Sequence, residues 1–163
     1  MTGTIREATR SDMKGILDLM ASHRWRNKTW GWDRPLAERY LDDYFGKGSE
    51  SLSGDAVFVL ALNQDIIGVT GWALDRYESD NYWLGWLYVH AAHTRRGLGR
   101  RLLEHTESAL LKRRVRRLFI STSSHPFYRP ARVLYEGMGY HEVGRIRSYY
   151  SKGEDQIILS KGL

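Results

Sequence analysis

Apolar residues along this chain follow two rhythms, and the places where one gives way to the other mark its elements. "TIREAT", residues 4–9, reads as a first strand. Ser11 then stands where a cap is expected for a helix in which Met13, Ile16, Leu17 and Met20 recur at helical spacing. Pro35 suits the first turn of a second helix, with Leu36, Tyr40, Leu41 and Tyr44 on one face. "DAVFVLAL" and "IIGVTGWAL" on either side of "NQD" predict a hairpin, and "NYWLGWLYV" predicts an aromatic and branched strand. From Leu98 the spacing turns helical, with Leu98, Leu102, Thr106 and Ala109 in line and Leu103 and Leu110 alongside. "RLFIST" predicts a strand, "ARVLYEGMG" a helix ended by Gly137 and Gly139, and "HEVGRI" and "DQIILS" two closing strands. The order βααβββαβαββ predicts a mixed α/β sheet.

Length and composition narrow the class. The 163 residues carry no repeat, low-complexity tract or linker, so a single domain over 1–163 is expected. There is no cysteine, which excludes disulfides, thiolate metal sites and a cysteine nucleophile. "MTGTIREATRSD" lacks the apolar core of a signal peptide, and "AVFVLAL" is too short to span a bilayer. A cytoplasmic protein with no membrane partner is therefore expected.

The net charge of +6 is local. Residues 95–117 hold nine of the 25 basic residues and two acids, hence +7, while the remainder has 16 basic against 17 acidic, hence −1. Part of that charge lies in "HTRRGLGRRLL", residues 93–103, between a strand and a helix. Unpaired amides and the dipole at a helix start favour an anion, and glycine lets a ligand approach the backbone. Gly97 and Gly99 fit that role, and Arg95, Arg96, Arg100 and Arg101 add charge for a polyphosphate. A dinucleotide fingerprint would need glycine where Leu102 stands, and a P-loop would need a Gly-Lys-Ser/Thr ending that is absent.

The stretch "LGWLYVHAAHTRRGLGRRLLEHTESALL", followed by "ARVLYEGMGYHEVG", resembles the GNAT family of N-acetyltransferases. "TRRGLG", residues 94–99, is similar to the family's acetyl-CoA motif, Arg/Gln-x-x-Gly-x-Gly/Ala. "YEGMGY", residues 135–140, is similar to its second block, Tyr-Glu-x-x-Gly-Phe/Tyr. Thr94 stands where the family usually has Arg or Gln, and Tyr128 where many members have Asn.

The resemblance implies a mostly antiparallel central sheet of about seven strands flanked by helices, the GNAT-like acyl-CoA acyltransferase fold. It implies acetyl-CoA as co-substrate, no metal, and direct attack by an amine acceptor. The backbone of Leu87 and Val89 would pair with the pantetheine arm, and the Val89 N–H would polarise the thioester carbonyl. The pyrophosphate would lie on Arg95, Arg96, Gly97, Leu98, Gly99 and Arg100, with Thr94 and Tyr128 as flanking cofactor positions. Tyr135 matches the family's general acid, which protonates the departing thiolate; a tyrosine packed in the core is the plainer account of the same residue.

Many members carry a glutamate base on the fourth strand, but "YWLGWLYV" has no carboxylate. Asp75, Glu78, Asp80, His90, His125 and a water chain stay open as the base. His90 and His93 are spaced to meet on a turn, but nothing nearby completes a metal set. By the resemblance, Trp25, Trp30 and Trp32 together with Tyr149 and Tyr150 of "RSYYSKGED", the loop expected to join the last two strands, line the acceptor; core packing explains them equally well.

Two other functions compete with the transferase. One is a non-catalytic acyl-CoA-binding sensor, supported by the missing strand carboxylate. The other is a nucleic-acid-binding domain built on "KRRVRR", residues 112–117, which ranks last because those charges also suit a helix C-terminus. A homodimer is left open.

Overall fold

The computed structural model describes residues 3–23, 30–46, 54–75 and 81–163, with side chains from residue 34 onward in the second of these stretches. The chain runs β1 (Thr4–Glu7), α1 (Met13–Ala21), α2 (Trp30–Phe45), β2 (Ala56–Leu62), β3 (Asp65–Leu74), β4 (Tyr82–Val89), α3 (Leu98–Lys112), β5 (Arg117–Ser123), α4 (Arg129–Gly137), β6 (His141–Ser151) and β7 (Glu154–Gly162). Short 3-10 turns at Arg10–Asp12, Ala91–His93 and Pro126–Tyr128 precede α1, α3 and α4. The strands form one mixed sheet in the order β1-β2-β3-β4-β5-β7-β6. β1/β2, β2/β3, β5/β7 and β6/β7 pair antiparallel, and β4/β5 is parallel, registered at Tyr82↔Leu118 and Trp83↔Phe119. The expected element order and sheet class are both present.

Contacts group the chain into two compact units, residues 1–74 with 85–106, and 75–84 with 107–163. In the first, the period-2 side chains of the sheet supply two cores. Val57, Val59 and Val69 face Ile16, Leu19 and Met20 of α1 and Leu41 of α2. Leu60 and Ile67 face Leu102 of α3, with Leu87, Val89 and Leu98 packed against them. Full burial of a Leu or Ile side chain contributes about 1.5–3 kcal/mol, and Ile16, Leu41, Leu60 and Leu102 are all fully buried.

In the second unit, Leu118, Ile120, Ile157 and Leu159 alternate inward along β5 and β7, and Leu110, Tyr135 and Tyr140 are buried there as well. The carboxylate of Glu107 accepts from the Tyr140 hydroxyl at 2.8 Å and from Lys161 Nζ at 2.9 Å. Burial, reinforced by that carboxylate, pushes the Tyr140 hydroxyl well above its ordinary range, so it remains a donor.

Three local expectations are corrected. The N-cap of α1 is Asp12 rather than Ser11, and Thr9 caps the 3-10 turn that leads into it: the Asp12 carboxylate accepts from the Thr9 N–H at 2.8 Å. The same carboxylate is gripped at both oxygens by Arg6, at 2.7 and 2.8 Å. Helix α2 begins at Trp30, so Pro35 lies past its first turn, and Leu36 is 56% exposed while Ala37 and Leu41 are buried. Finally, "RSYYS" belongs to β6 rather than to a loop, because Ser151 pairs with Glu154 across a turn at Lys152–Gly153. Tyr149 and Tyr150 are thus strand residues, 57% and 48% exposed, with rings edge to face at 5.0 Å.

Candidate active site

Between β4 and α3 the backbone makes a tight turn at the glycines and opens into the helix. His90 ends the strand by donating its N–H to Ile67 O at 2.9 Å, and the following turn closes with His93 N–H on His90 O and Thr94 Oγ1 on Ala91 O. Thr94 therefore holds the turn itself. Arg95 and Gly97 adopt left-handed backbone, φ 61° and 74°, which swings the chain into α3. Helical hydrogen bonding opens with the Arg101 N–H on Gly97 O at 3.1 Å. Among the described residues, the amides from Arg95 to Arg100 donate to no acceptor. A Cβ placed on Gly97 would meet nothing within 4 Å, so the space at that position is open. Arg95 and Arg96 are exposed, and Arg100 makes a long 3.9 Å contact with Glu104. Arg101 is spent elsewhere: its guanidinium donates to Gly3 O. A row of undonated amides, a helix dipole and exposed guanidinium groups together have the chemistry to hold a phosphate chain.

The strand leading into the turn has two faces and one informative edge. Trp86 and Tyr88 pack against the α1/α2 core, whereas Leu87 and Val89 pack against the α3 core. Because the His90 N–H points to β3, alternation turns the backbone groups of Val89 and Leu87 toward the edge away from β3. At that edge His23 Nε2 lies 2.9 Å from Val89 O, and Ser22 Oγ accepts from the Ala91 N–H at 3.0 Å. Both residues follow directly on α1.

Beneath α2, on the Trp86/Tyr88 face, lies a cavity of about 590 Å³. Its floor is Val57, Gly71 and Gly85, and its aromatic side chains are Tyr40, Trp86 and Tyr88. Tyr40 meets Trp86 edge to face at 5.0 Å and is anchored through its hydroxyl on Asp55 at 3.0 Å. Arg39 and Asp43, one helical turn apart, bring charge to the lining. The sequence reading missed this aromatic set. Its signal was the alternation of Trp86 and Tyr88 beside Gly85 on a strand already assigned to the cofactor. Trp25 lies outside the described residues, as do the side chains of Trp30 and Trp32.

In the second unit, "YEGMGY" is the end of α4. Gly139, at φ 89°, lets its own N–H bond Glu136 O and the Tyr140 N–H bond Tyr135 O, each at 3.0 Å, a Schellman cap. The apolar contact that accompanies such caps is made by Tyr135 and Tyr140, with ring centroids 6.1 Å apart. Tyr135 is 6% exposed. Tyr128 closes the 3-10 turn before α4, edge to face with Phe127, and Arg132 Nη1 ties the helix to the carbonyls of Ser123 and His125.

The histidines considered as bases have structural tasks. His90 Nδ1 accepts from the Ala92 N–H and His125 Nδ1 from the Phe127 N–H, each at 3.2 Å. In the neutral ring the other nitrogen then carries the proton, which argues against either as a proton acceptor. The His90 and His93 rings lie 5.8 Å apart, and no cluster of three or more metal-ligating side chains occurs among the described residues. Glu78 and Asp80 lie outside the described residues. Among those residues no helix is long and apolar enough to cross a membrane.

The fold is shared with proteins of known structure. A protein of Desulfovibrio desulfuricans, described as an acetyltransferase of the GNAT family, superposes with a TM-score of 0.86 at 22% identity, covering 98% of each chain. A Salmonella typhimurium protein, described as an acetyltransferase and solved with its cofactor acetyl-CoA, gives 0.78 at 21% identity over 100% of this chain and 95% of the other. The ribosomal-protein-alanine N-acetyltransferase of Brucella melitensis gives 0.77 at 19% identity over 98% and 99%. No protein of curated function matches the chain. At these identities the superpositions establish the fold. The sequence model of the acetyltransferase (GNAT) family, however, matches residues 17–140, well over half of the chain. This chain belongs to the GNAT family of acetyltransferases.

Proposed function

We propose that residues 1–163 form one N-acetyltransferase domain that moves an acetyl group from acetyl-CoA to a primary amine by direct attack, in the cytoplasm. The observation that carries the reading is the open row of amides from Arg95 to Arg100 over the unobstructed Gly97. The Salmonella structure, which holds acetyl-CoA on the same fold, supports it.

When bound, acetyl-CoA supplies a thioester whose carbonyl carbon the amine attacks as the carbon–sulfur bond breaks. In this reading the amides of Arg95, Arg96, Gly97, Leu98, Gly99 and Arg100 hold the pyrophosphate, with Arg95 and Arg96 screening its charge. Thr94 holds the turn that presents those amides, and Tyr128 flanks the pantetheine arm. The backbone of Leu87 and Val89 receives that arm, and the Val89 N–H donates to the carbonyl oxygen as negative charge grows there. Tyr135 delivers its hydroxyl proton to the departing sulfur, a role worth roughly 10²–10⁴-fold. The cavity between α2 and β4 takes the amine, and its rings exclude bulk water from the acyl group. The proton released by the nitrogen passes to a carboxylate among Asp75, Glu78 and Asp80, or to water.

Calorimetric titration of acetyl-CoA into the purified protein, with a DNA duplex alongside, tests the reading. Dissociation in the micromolar range for acetyl-CoA is expected, followed by thiol release on addition of an accepted amine. No binding at millimolar acetyl-CoA, together with salt-sensitive binding of the duplex, would overturn it.

A further inference from the structure

The end of β4 is held from outside the sheet by two consecutive residues that no step above uses. The peptide joining Val89 to His90 is gripped at both ends: its N–H donates to Ile67 O, and its carbonyl oxygen lies 2.9 Å from His23 Nε2. The next peptide is gripped as well, with the Ala91 N–H donating to Ser22 Oγ. Ser22 in turn donates to Leu19 O at 2.6 Å, which passes the hold to a helix whose Leu19 is fully buried. The His23 ring is itself steadied, tilted against Tyr88 at 6.4 Å.

A strand end of this kind is ordinarily a poor place to keep a catalytic amide. Its last residues fray, and a shift of about 1 Å in a reacting group can cost two orders of magnitude in rate. Here Val89 is followed at once by a turn, and the His90 N–H on Ile67 O restrains the strand end from the β3 side, so restraint on the opposite edge has to come from outside the strand. The Ser22–His23 pair supplies that restraint. It also satisfies the Val89 carbonyl from the edge away from β3, the edge toward which the Val89 N–H is turned.

We propose that His23, assisted by Ser22, is a positioning residue that holds the end of β4 so that the Val89 N–H stays aimed at the acyl carbonyl oxygen. The inference rests on the reading of Val89 given above. His23 needs only one N–H donor for this task, so a side-chain amide that reaches Val89 O replaces it, whereas a ring without nitrogen does not. A base at the same position could not be replaced by an amide.

The test reads the bound thioester directly. Acetyl-CoA labelled with ¹³C at the acyl carbonyl gives an isotope-edited infrared band that moves to lower wavenumber when its oxygen accepts a hydrogen bond. Wild type, His23→Phe, His23→Gln and Ser22→Ala are compared, with calorimetry for affinity and circular dichroism for folding. Expected is a displaced band in wild type and His23→Gln, a band returned toward that of free acetyl-CoA in His23→Phe, and an intermediate one in Ser22→Ala. Affinity should stay within about threefold throughout, under 1 kcal/mol.

Wild-type displacement in a folded His23→Phe overturns the proposal. So does an equal loss in His23→Phe and His23→Gln. Should His23→Phe fail to fold, Ser22→Ala decides, and a band unchanged from wild type overturns the proposal. An undisplaced band in wild type, or no binding at all, refutes the role given to Val89 or to acetyl-CoA instead.

Discussion

The hydroxyls of Thr70 and Thr106 meet at 2.8 Å in a fully buried hydrogen bond that joins β3 to α3. Thr106 also donates to Leu102 O at 3.1 Å, so its single proton is committed and Thr70 must supply the proton they share. The two positions are therefore unequal. Thr106→Val strands the buried Thr70 donor and should cost about 2 kcal/mol; Thr70→Val removes only a surplus partner and should cost about 1 kcal/mol. The double variant should cost less than the sum, because no orphaned group remains. Urea denaturation of the three variants measures this, and equal single costs that add would refute the donor assignment.

How much of this could be read beforehand depended on sequence distance. The glycine cradle, α3 and the cap of α4 were legible because each is written in neighbouring residues. The sequence ends α4 at Gly137 and Gly139; Gly137 is still helical, and it is Gly139 whose residue type announces the cap. Another helix end, at Arg114, went unread, although Arg114 has φ 62° and the Val115 N–H bonds Leu110 O, because an arginine gives no such signal. The cap of α1 lies one residue past Ser11: Ser11 matches the rule, but Asp12, held by Arg6 on β1 and bonded to the Thr9 N–H, takes the position after a 3-10 turn. The His23–Val89 contact joins residues 66 apart, and the cavity draws its lining from helices and strands spread between Met20 and Tyr88. No local pattern encodes either.

Gly97 should be required for ligand binding more than for folding. Its left-handed φ of 74° resembles the 83° of Gly153, and a Cβ on either would meet nothing within 4 Å. Alanine at each position should therefore cost a similar amount of stability, about 1 kcal/mol. Only Gly97→Ala adds an atom before the open amides, and only it should weaken acetyl-CoA, by about tenfold or more. Gly97→Glu should abolish binding by setting a carboxylate in the cradle. Thermal midpoints and calorimetric titrations of both alanine variants decide; equal affinities would remove Gly97 from the phosphate site.

Tyr135 has two duties in the account above, and they separate on substitution. Tyr135→Phe keeps the ring that packs against Tyr140 at 6.1 Å and leaves the backbone cap untouched, so acetyl-CoA affinity should barely change. Loss of the phenolic proton should lower turnover about tenfold or more. The pH–rate profile with an accepted amine is the measurement. A variant that matches wild type at every pH would reduce Tyr135 to the cap contact alone.

Stability in acid should report the node at the start of α1. Arg6, gripping both oxygens of the nearly buried Asp12, lowers that carboxyl from its ordinary 3.8 to about 2, against the opposing effect of burial, and the Thr9 N–H and hydroxyl add to the lowering. A group whose folded pKa is depressed stabilises the fold above its unfolded value, and that contribution is lost as pH falls through the folded one. The contribution is thus complete above about pH 4 and gone near pH 2. Because Arg6 is half-exposed, solvent screening leaves about 1–2 kcal/mol of it. Asp12→Asn should therefore be destabilised by about that amount in urea at pH 7 and at pH 5, with the gap to wild type closing between pH 4 and pH 2. A gap that stays constant down to pH 2 would mean that the carboxylate is held no more tightly in the folded chain than in the unfolded one.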